Sequence, residues 1–174
     1  TVVIRGQNDE QALEMVEACW ARGWLPRFIE LMPIGHAWGR ETQLRVSTGE
    51  VLARIGSRYP LAAGLEGDDL PRGPARYYRV TEGPFAGRRV GMISPMSDHG
   101  FCSRCNRARL TAQGGLRACL ADDHEVSVRD VLRSGASDDV LVETIRQAVN
   151  AKREAHRMEH LSTAPNKIMT AIGG

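Results

Sequence analysis

Pro26-Arg27-Phe28-Ile29-Glu30-Leu31-Met32-Pro33 is a near-continuous apolar run closed at each end by a proline. Such a run reads as a strand, Arg27 to Met32, covered on both faces. Upstream, Thr1-Val2-Val3-Ile4-Arg5-Gly6 reads as the second half of a buried strand, as at the start of a fragment. Between the two, Asn8 can cap a helix from Asp9 to Arg22, with Gln11 placed for a capping box and Gly23 at the stop. Leu13, Met15, Val16, Cys19 and Trp20 give that helix its buried face, so Cys19 reads as a core thiol. Strand, helix and strand at this length make a parallel unit. The Arg27–Met32 strand is expected to present an unpaired edge, which favours self-association of the chain.

Beyond Pro33-Ile34-Gly35 the rhythm changes. Ser47 and Glu50 form a capping box for a short helix whose apolar stripe is Val51, Leu52 and Ile55. Ala75 to Thr81 and Arg88 to Ile93 read as a hairpin across Glu82-Gly83-Pro84-Phe85-Ala86-Gly87. Arg107 to Thr111 and Leu116 to Cys119, divided by Gln113-Gly114-Gly115, read as a second hairpin, so this region is antiparallel. Ser127 to Arg133 is a short helix with Asp130 completing its capping box. Ser137 caps a longer one through about Arg157, packed through Val142, Ile145 and Val149.

Composition excludes several classes. The 174 residues are 42% apolar and 25% charged with a net charge of +2, which suits a folded domain and not a disordered or polybasic nucleic-acid-binding chain. No apolar stretch reaches the roughly 18 to 20 residues that span a bilayer, and the opening lacks a signal pattern, so a cytoplasmic protein is expected.

Four cysteines are too few for a disulfide scaffold, and their spacing is the informative feature. Three are clustered as Cys102-x2-Cys105-x13-Cys119. A structural zinc would need a fourth ligand, from His99 or His124. A cubane iron-sulfur cluster on three thiolates would keep one iron open. Spacing alone leaves zinc, a cluster and unligated thiols all open. Between Cys102 and Cys119 stand Arg104, Arg107, Arg109 and Arg117 with no acidic residue, a concentration that attracts anions. Arg107 and Arg109, two apart, would project from one strand face to grip a phosphate or carboxylate. Solvated arginines that only balance the thiolates are the plainer alternative.

Phe101-Cys102-Ser103-Arg104-Cys105-Asn106-Arg107-Ala108-Arg109-Leu110-Thr111, followed by Gly115-Leu116-Arg117-Ala118-Cys119-Leu120, resembles the C-terminal cluster motif of the GTP 3′,8-cyclase family of radical S-adenosylmethionine enzymes. Arg27 to Gly35 resembles its late barrel strand, Arg5 to Glu10 the preceding strand-to-helix turn, and Gly173-Gly174 its terminal pair. The resemblance runs the length of the chain and implies the C-terminal half of such an enzyme. The fold it implies is α/β: residues 1–35 as the last strand-helix units of an incomplete parallel TIM-like barrel, and residues 36–174 as an α+β region whose antiparallel hairpins carry an iron-sulfur cluster.

By the same resemblance, Cys102, Cys105 and Cys119 ligate a 4Fe-4S cluster whose open iron takes guanine. Arg27, Arg107, Ala108 and Arg109 contact GTP, Met32 lies near S-adenosylmethionine, and Gly173 and Gly174 contribute to catalysis. The implied reaction, in molybdenum cofactor biosynthesis, turns GTP into (8S)-3′,8-cyclo-7,8-dihydroguanosine 5′-triphosphate. The family's other Cys-x3-Cys-x2-Cys cluster motif is missing from these 174 residues, so the chain alone is not expected to form a radical. Implied partners are a radical-generating N-terminal half, a downstream cyclic pyranopterin monophosphate synthase and a second copy in a homodimer, with no membrane or nucleic acid. The alternative is a zinc-stabilised module that binds phosphates or nucleic acid. A plain electron-transfer module is a third reading.

Overall fold

The structure is a computed structural model that describes residues 1–64, 73–156 and 158. These fall into two compact units, one of Thr1–Met32 with Gly39–Arg104, the other of Pro33–Trp38 with the described residues from Cys105 onward.

The first unit is built on a mixed sheet. Strand β1 (Val2–Val3) leads through helix α1 (Ala12–Ala21) to β2 (Arg27–Glu30), and β1 and β2 pair in parallel, with Val2 opposite Ile29. The predicted parallel unit is therefore present. Helices α2 (Glu41–Leu44) and α3 (Thr48–Gly56) follow, then strands β3 (Leu61–Ala63), β4 (Arg76–Val80) and β5 (Arg89–Ile93). The strand order is β1-β2-β5-β4-β3. β5 joins β2 in parallel, whereas β4 pairs antiparallel with both β5 and β3. Among the described residues this is an open mixed sheet and not a closed parallel barrel, because the β4–β5 hairpin turns the chain back on itself. It also corrects the expected free edge: β2 is hydrogen-bonded on both sides.

Local chemistry explains where the elements start and stop. Asn8 does not cap α1; its Oδ1 accepts from the Ile4 N–H at 2.8 Å and its Nδ2 donates to the Val2 carbonyl at 3.0 Å, closing a turn instead. The helix therefore begins later than expected, after Gln11 and without a side-chain cap. Gly23, at φ +75°, ends it as expected. The Ser47–Glu50 capping box forms in full. Ala12, Val16 and Trp20 of α1 pack with Phe28, Val51, Ile55, Tyr59, Val90 and Met92 in the core. Trp20, Tyr59 and Phe85 meet with ring centroids 5.5 to 5.6 Å apart, a spacing at which edge-on aromatic contacts are favourable. Cys19 is only half-buried and lies outside that cluster.

The second unit carries a three-stranded antiparallel sheet in the order β6-β7-β8: β6 (Arg109–Leu110), β7 (Gly115–Arg117) and β8 (Val126–Ser127). The predicted hairpin is present, shorter than expected, and β8 extends it. Helices α4 (Val128–Arg133) and α5 (Asp138–Asn150) follow. Ser127 accepts the Asp130 N–H at 3.2 Å, while the Asp130 carboxylate binds Arg129 instead of completing the box. α5 ends at Asn150, and Arg157, its expected limit, lies outside the described residues. Its expected packing face is solvent-exposed, with Val142 at 51% and Val149 at 45%. Leu141, Thr144 and Ala148 are the less exposed stripe instead, and small Ala148 is the one buried residue where α5 packs on β7 and α4.

Candidate functional site

The second unit gathers most of the residues singled out by sequence. The β6–β7 hairpin is held tightly at its turn: Thr111 Oγ1 accepts the Gly115 N–H at 3.0 Å and donates to Glu125 Oε1 at 3.3 Å. Gly114, at φ +81°, supplies the left-handed turn, and a Cβ at Gly115 would overlap the Glu125 carboxylate. The hairpin aligns Arg109 directly opposite Arg117, so both guanidinium groups leave one face of the sheet. Arg107 comes from the segment before β6, which is neither helix nor strand, and Ala108 beside it is exposed.

These arginines are not equivalent. Arg117 is 2% exposed; its Nη2 donates to Asp123 Oδ1 at 2.8 Å and to the Asp122 carbonyl. Arg109 is half-buried and senses Arg107, Arg117 and the thiols of Cys105 and Cys119. Burial and the two neighbouring cations lower the Arg109 pKa from its ordinary value, and the sulfurs oppose them. Three guanidinium groups share this part of the unit, and Arg117 among them is ion-paired with Asp123. Arg104, the fourth arginine of the motif, has a different task in the first unit. With Arg76 it binds Asp98, which accepts from Arg76 Nε at 2.9 Å and from Arg104 Nη2. Burial would raise the Asp98 pKa, but the Gly100 N–H and the two guanidinium groups outweigh it and hold the carboxyl below its usual range.

Cys105 sits in an electropositive setting. Burial alone would push its thiol up, but the Arg107 N–H, the Arg107 guanidinium and the Lys152 ammonium prevail and bring it below the ordinary value. Lys152 Nζ donates to Cys105 O at 2.7 Å and lies 3.4 Å from Cys105 Sγ. Beside Cys119 opens a cavity of about 250 Å³, bordered by Asp122, Asp123, Arg153 and His156. Cys102 begins a short 3₁₀ turn, Cys102–Arg104, at the end of the first unit. None of the four cysteines is in a disulfide.

Among the described residues no group of three His, Cys, Asp or Glu side chains is arranged to hold a metal ion. A tetrahedral zinc draws four ligands to within roughly 2.3 Å of one point. A cubane instead takes each thiolate on a separate iron, so it does not require them to meet. Soft thiolates among cations, with one thiol already biased toward thiolate, fit an anionic iron-sulfur cluster. His124, a candidate fourth zinc ligand, shares a small cleft with Cys119. His99, the other candidate, belongs to the first unit.

The remaining predicted site residues lie in the first unit or beyond the described residues. Arg27 is exposed on β2, and Met32 follows that strand half-buried. Arg27, Gly91 and Tyr77 line up across neighbouring strands, and a Cβ at Gly91 would lie 2.8 Å from both flanking side chains. Gly173 and Gly174 lie outside the described residues. Two polar groups escaped the sequence reading. Glu30, set within an apolar run, is 1% exposed and accepts the N–H groups of Thr48, Met96 and Ser97, each at 3.0 Å. Lys152 continues the inward stripe of α5, and a lysine at that spacing from Ala148 was the available signal. No helix among the described residues is long and apolar enough to cross a membrane.

Comparison with known proteins places this arrangement in a family. The family model described as Molybdenum Cofactor Synthesis C matches residues 26–158. The chain is 40% identical over 174 residues to a GTP 3′,8-cyclase of Syntrophomonas wolfei subsp. wolfei, covering 99% of this chain and 52% of that protein. It is 41% identical over 173 residues to a GTP 3′,8-cyclase of Moorella thermoacetica, covering 99% and 51%. A third relative, GTP 3′,8-cyclase 2 of Mycobacterium bovis, is 38% identical over 171 residues, 95% of this chain and 46% of that one. The chain thus spans about half the length of the curated relatives it matches. On the family match and these identities together, the chain belongs to the Molybdenum Cofactor Synthesis C family.

Proposed function

We propose that the chain is the C-terminal part of a GTP 3′,8-cyclase and that it binds GTP beside a 4Fe-4S cluster held by Cys102, Cys105 and Cys119. One observation carries the reading: the half-buried Arg109 guanidinium lies in the field of two thiols, Cys105 and Cys119, and of two further arginines, Arg107 and Arg117. Arg109 also stands directly opposite Arg117 on β7, and cations gathered around thiols favour binding of an anion there, beyond the Asp123 carboxylate that Arg117 already holds. Thiolates would supply part of that negative charge and a nucleotide triphosphate the rest.

When bound, the cluster supplies an iron with a vacant position that can take a purine nitrogen or oxygen. This chain's own residues do the remaining work. Arg107 and Arg109 hold phosphate oxygens through charge-assisted hydrogen bonds, and the Ala108 backbone between them keeps the phosphates close to the hairpin. Arg117, pinned to Asp122 and Asp123, shapes the loop that bears Cys119. By the family resemblance, Arg27 contributes a further nucleotide contact and Met32 lies near S-adenosylmethionine. By the same resemblance, Gly173 and Gly174 contribute to catalysis. Radical generation and the main S-adenosylmethionine site belong to a Cys-x3-Cys-x2-Cys segment outside these residues. That segment is the required partner, and a cyclic pyranopterin monophosphate synthase is the consumer of the product. The cytoplasm is the proposed compartment.

The experiment is nucleotide titration of the anaerobically reconstituted chain, followed by electron paramagnetic resonance of the reduced cluster. GTP is expected to alter the spectrum of the wild type. A spectrum unmoved by saturating GTP would reduce the chain to an electron carrier and reject the reading.

A further inference from the structure

Lys152 lies just past the Ala151 cap of α5, in step with the inward residues Leu141, Thr144 and Ala148. A lysine in this position can turn back on the last carbonyls of its own helix, where the dipole is negative. Lys152 does otherwise. Its ammonium donates to Cys105 O at 2.7 Å, to Arg107 O at 3.1 Å, and to Cys105 Sγ at 3.4 Å. An ammonium has three N–H donors, and all three find acceptors on one short segment more than forty residues upstream.

Two of those acceptors are carbonyls on either side of Asn106, in a stretch with no helix or strand of its own. A backbone without a ladder needs other partners for its polar groups. One cation serving both carbonyls braces the loop between Cys105 and Arg107. The third acceptor is the sulfur itself, so the same ammonium reaches the proposed metal ligand and the backbone of the proposed phosphate-binding arginine. Lys152 is half-buried, which strengthens its charge at the sulfur relative to an exposed lysine.

We propose that Lys152 is a positioning residue for the cluster loop, locking Cys105 Sγ and the Arg107 backbone together and raising the reduction potential of the cluster through an N–H···S hydrogen bond and a nearby positive charge. The inference rests on the reading that Cys105 ligates a 4Fe-4S cluster. Its physical basis is general: hydrogen bonds and charge at the ligand sulfurs favour the reduced, more negative cluster. No proton or electron passes through Lys152; its ammonium acts by position and charge.

The test uses the full chain, reconstituted anaerobically, with Lys152→Met removing charge and donors at similar length, Lys152→Gln keeping a neutral donor, and Lys152→Arg keeping both. Iron per chain, the unfolding midpoint of the apoprotein, and the midpoint potential by redox titration are measured for each. A potential shifted negative in Lys152→Met, less so in Lys152→Gln, and returned toward the wild type in Lys152→Arg supports the assignment. Loss of iron from Lys152→Met with an unchanged apoprotein midpoint supports it as well. Should Lys152→Met fail to fold, the Gln and Arg variants carry the comparison. Variants that all titrate at the wild-type potential overturn it while leaving the cluster reading intact. A wild type that takes up no iron-sulfur cluster removes both together.

Discussion

Arg109 and Arg117 stand opposite one another across the β6–β7 ladder, yet one guanidinium is sealed onto Asp122 and Asp123 while the other is left among thiols and like charges. The pair separates scaffold from site on a single sheet face. The next two predictions follow from that division.

Arg109→Ala, and separately Arg107→Ala, is expected to weaken GTP binding by about tenfold or more, the size of a lost charge-assisted hydrogen bond. Iron content should not change, because neither residue is a ligand. Calorimetric titration beside iron analysis checks this. Unaltered affinity in both variants would remove the arginines from the nucleotide site.

Arg117→Ala should behave differently. It empties a buried volume and strands the Asp122 carbonyl, at a cost of about 3 kcal/mol. Urea unfolding should show the loss, with iron uptake falling because the Cys119 loop slackens. Wild-type stability in this variant would contradict the structural role given to Arg117.

Gly91 is required by close approach: a Cβ there meets Arg27 Cγ and Tyr77 Cε1 at 2.8 Å. Gly91→Ala should cost about 1–3 kcal/mol through overpacking. The Tyr77 hydroxyl, in turn, is buried with no hydrogen-bond partner among the described residues. Tyr77→Phe is therefore expected to be neutral or stabilising in the nucleotide-free protein. Thermal unfolding checks both: a lowered midpoint for Gly91→Ala and an unchanged or raised one for Tyr77→Phe.

The pH dependence of stability has a visible source in Glu50. The Arg5 guanidinium, then the Ser47 N–H and the Ser47 hydroxyl, lower its pKa to about 2. A carboxyl depressed on folding stabilises the native state above its unfolded value, near 4.3, and that contribution is lost as pH falls from there toward 2. Asp98, also depressed, acts in the same direction. Glu50→Gln should flatten the acid limb of stability against pH between about 4.5 and 2. A limb of unchanged steepness would deny Glu50 this part. Since Glu50 is half-exposed, the effect should shrink with added salt.

Much of this was legible where the signal is local. Ser47 and Glu50 are three residues apart, and Gly114-Gly115 marks its turn by residue type, so the capping box and the hairpin could be read directly. Periodicity gives a helix stripe but not which neighbouring stripe is covered, which is why Val142, Ile145 and Val149 emerged exposed while Ala148 is buried. Asn8 offers the same side chain to a helix cap or to a turn, and the Ile4 and Val2 backbone claimed it. Glu30 and Lys152 were hidden because their partners are remote in sequence: residues 48, 96 and 97 for the carboxylate, Cys105 and Arg107 for the ammonium. Of the site, the cysteine spacing and the arginine surplus were plain. The division of labour among Arg104, Arg109 and Arg117 turns on Asp98, Asp122 and Asp123, which lie within six residues of Arg104 or Arg117, but spacing alone does not say which arginine each one takes.

Metal analysis of the wild-type chain after anaerobic reconstitution, set beside its Cys102→Ala, Cys105→Ala and Cys119→Ala variants, tests the central claim most directly. The account predicts about four irons per chain, a brown protein, and loss of iron and colour in each variant. A colourless protein that retains one zinc per chain would contradict it.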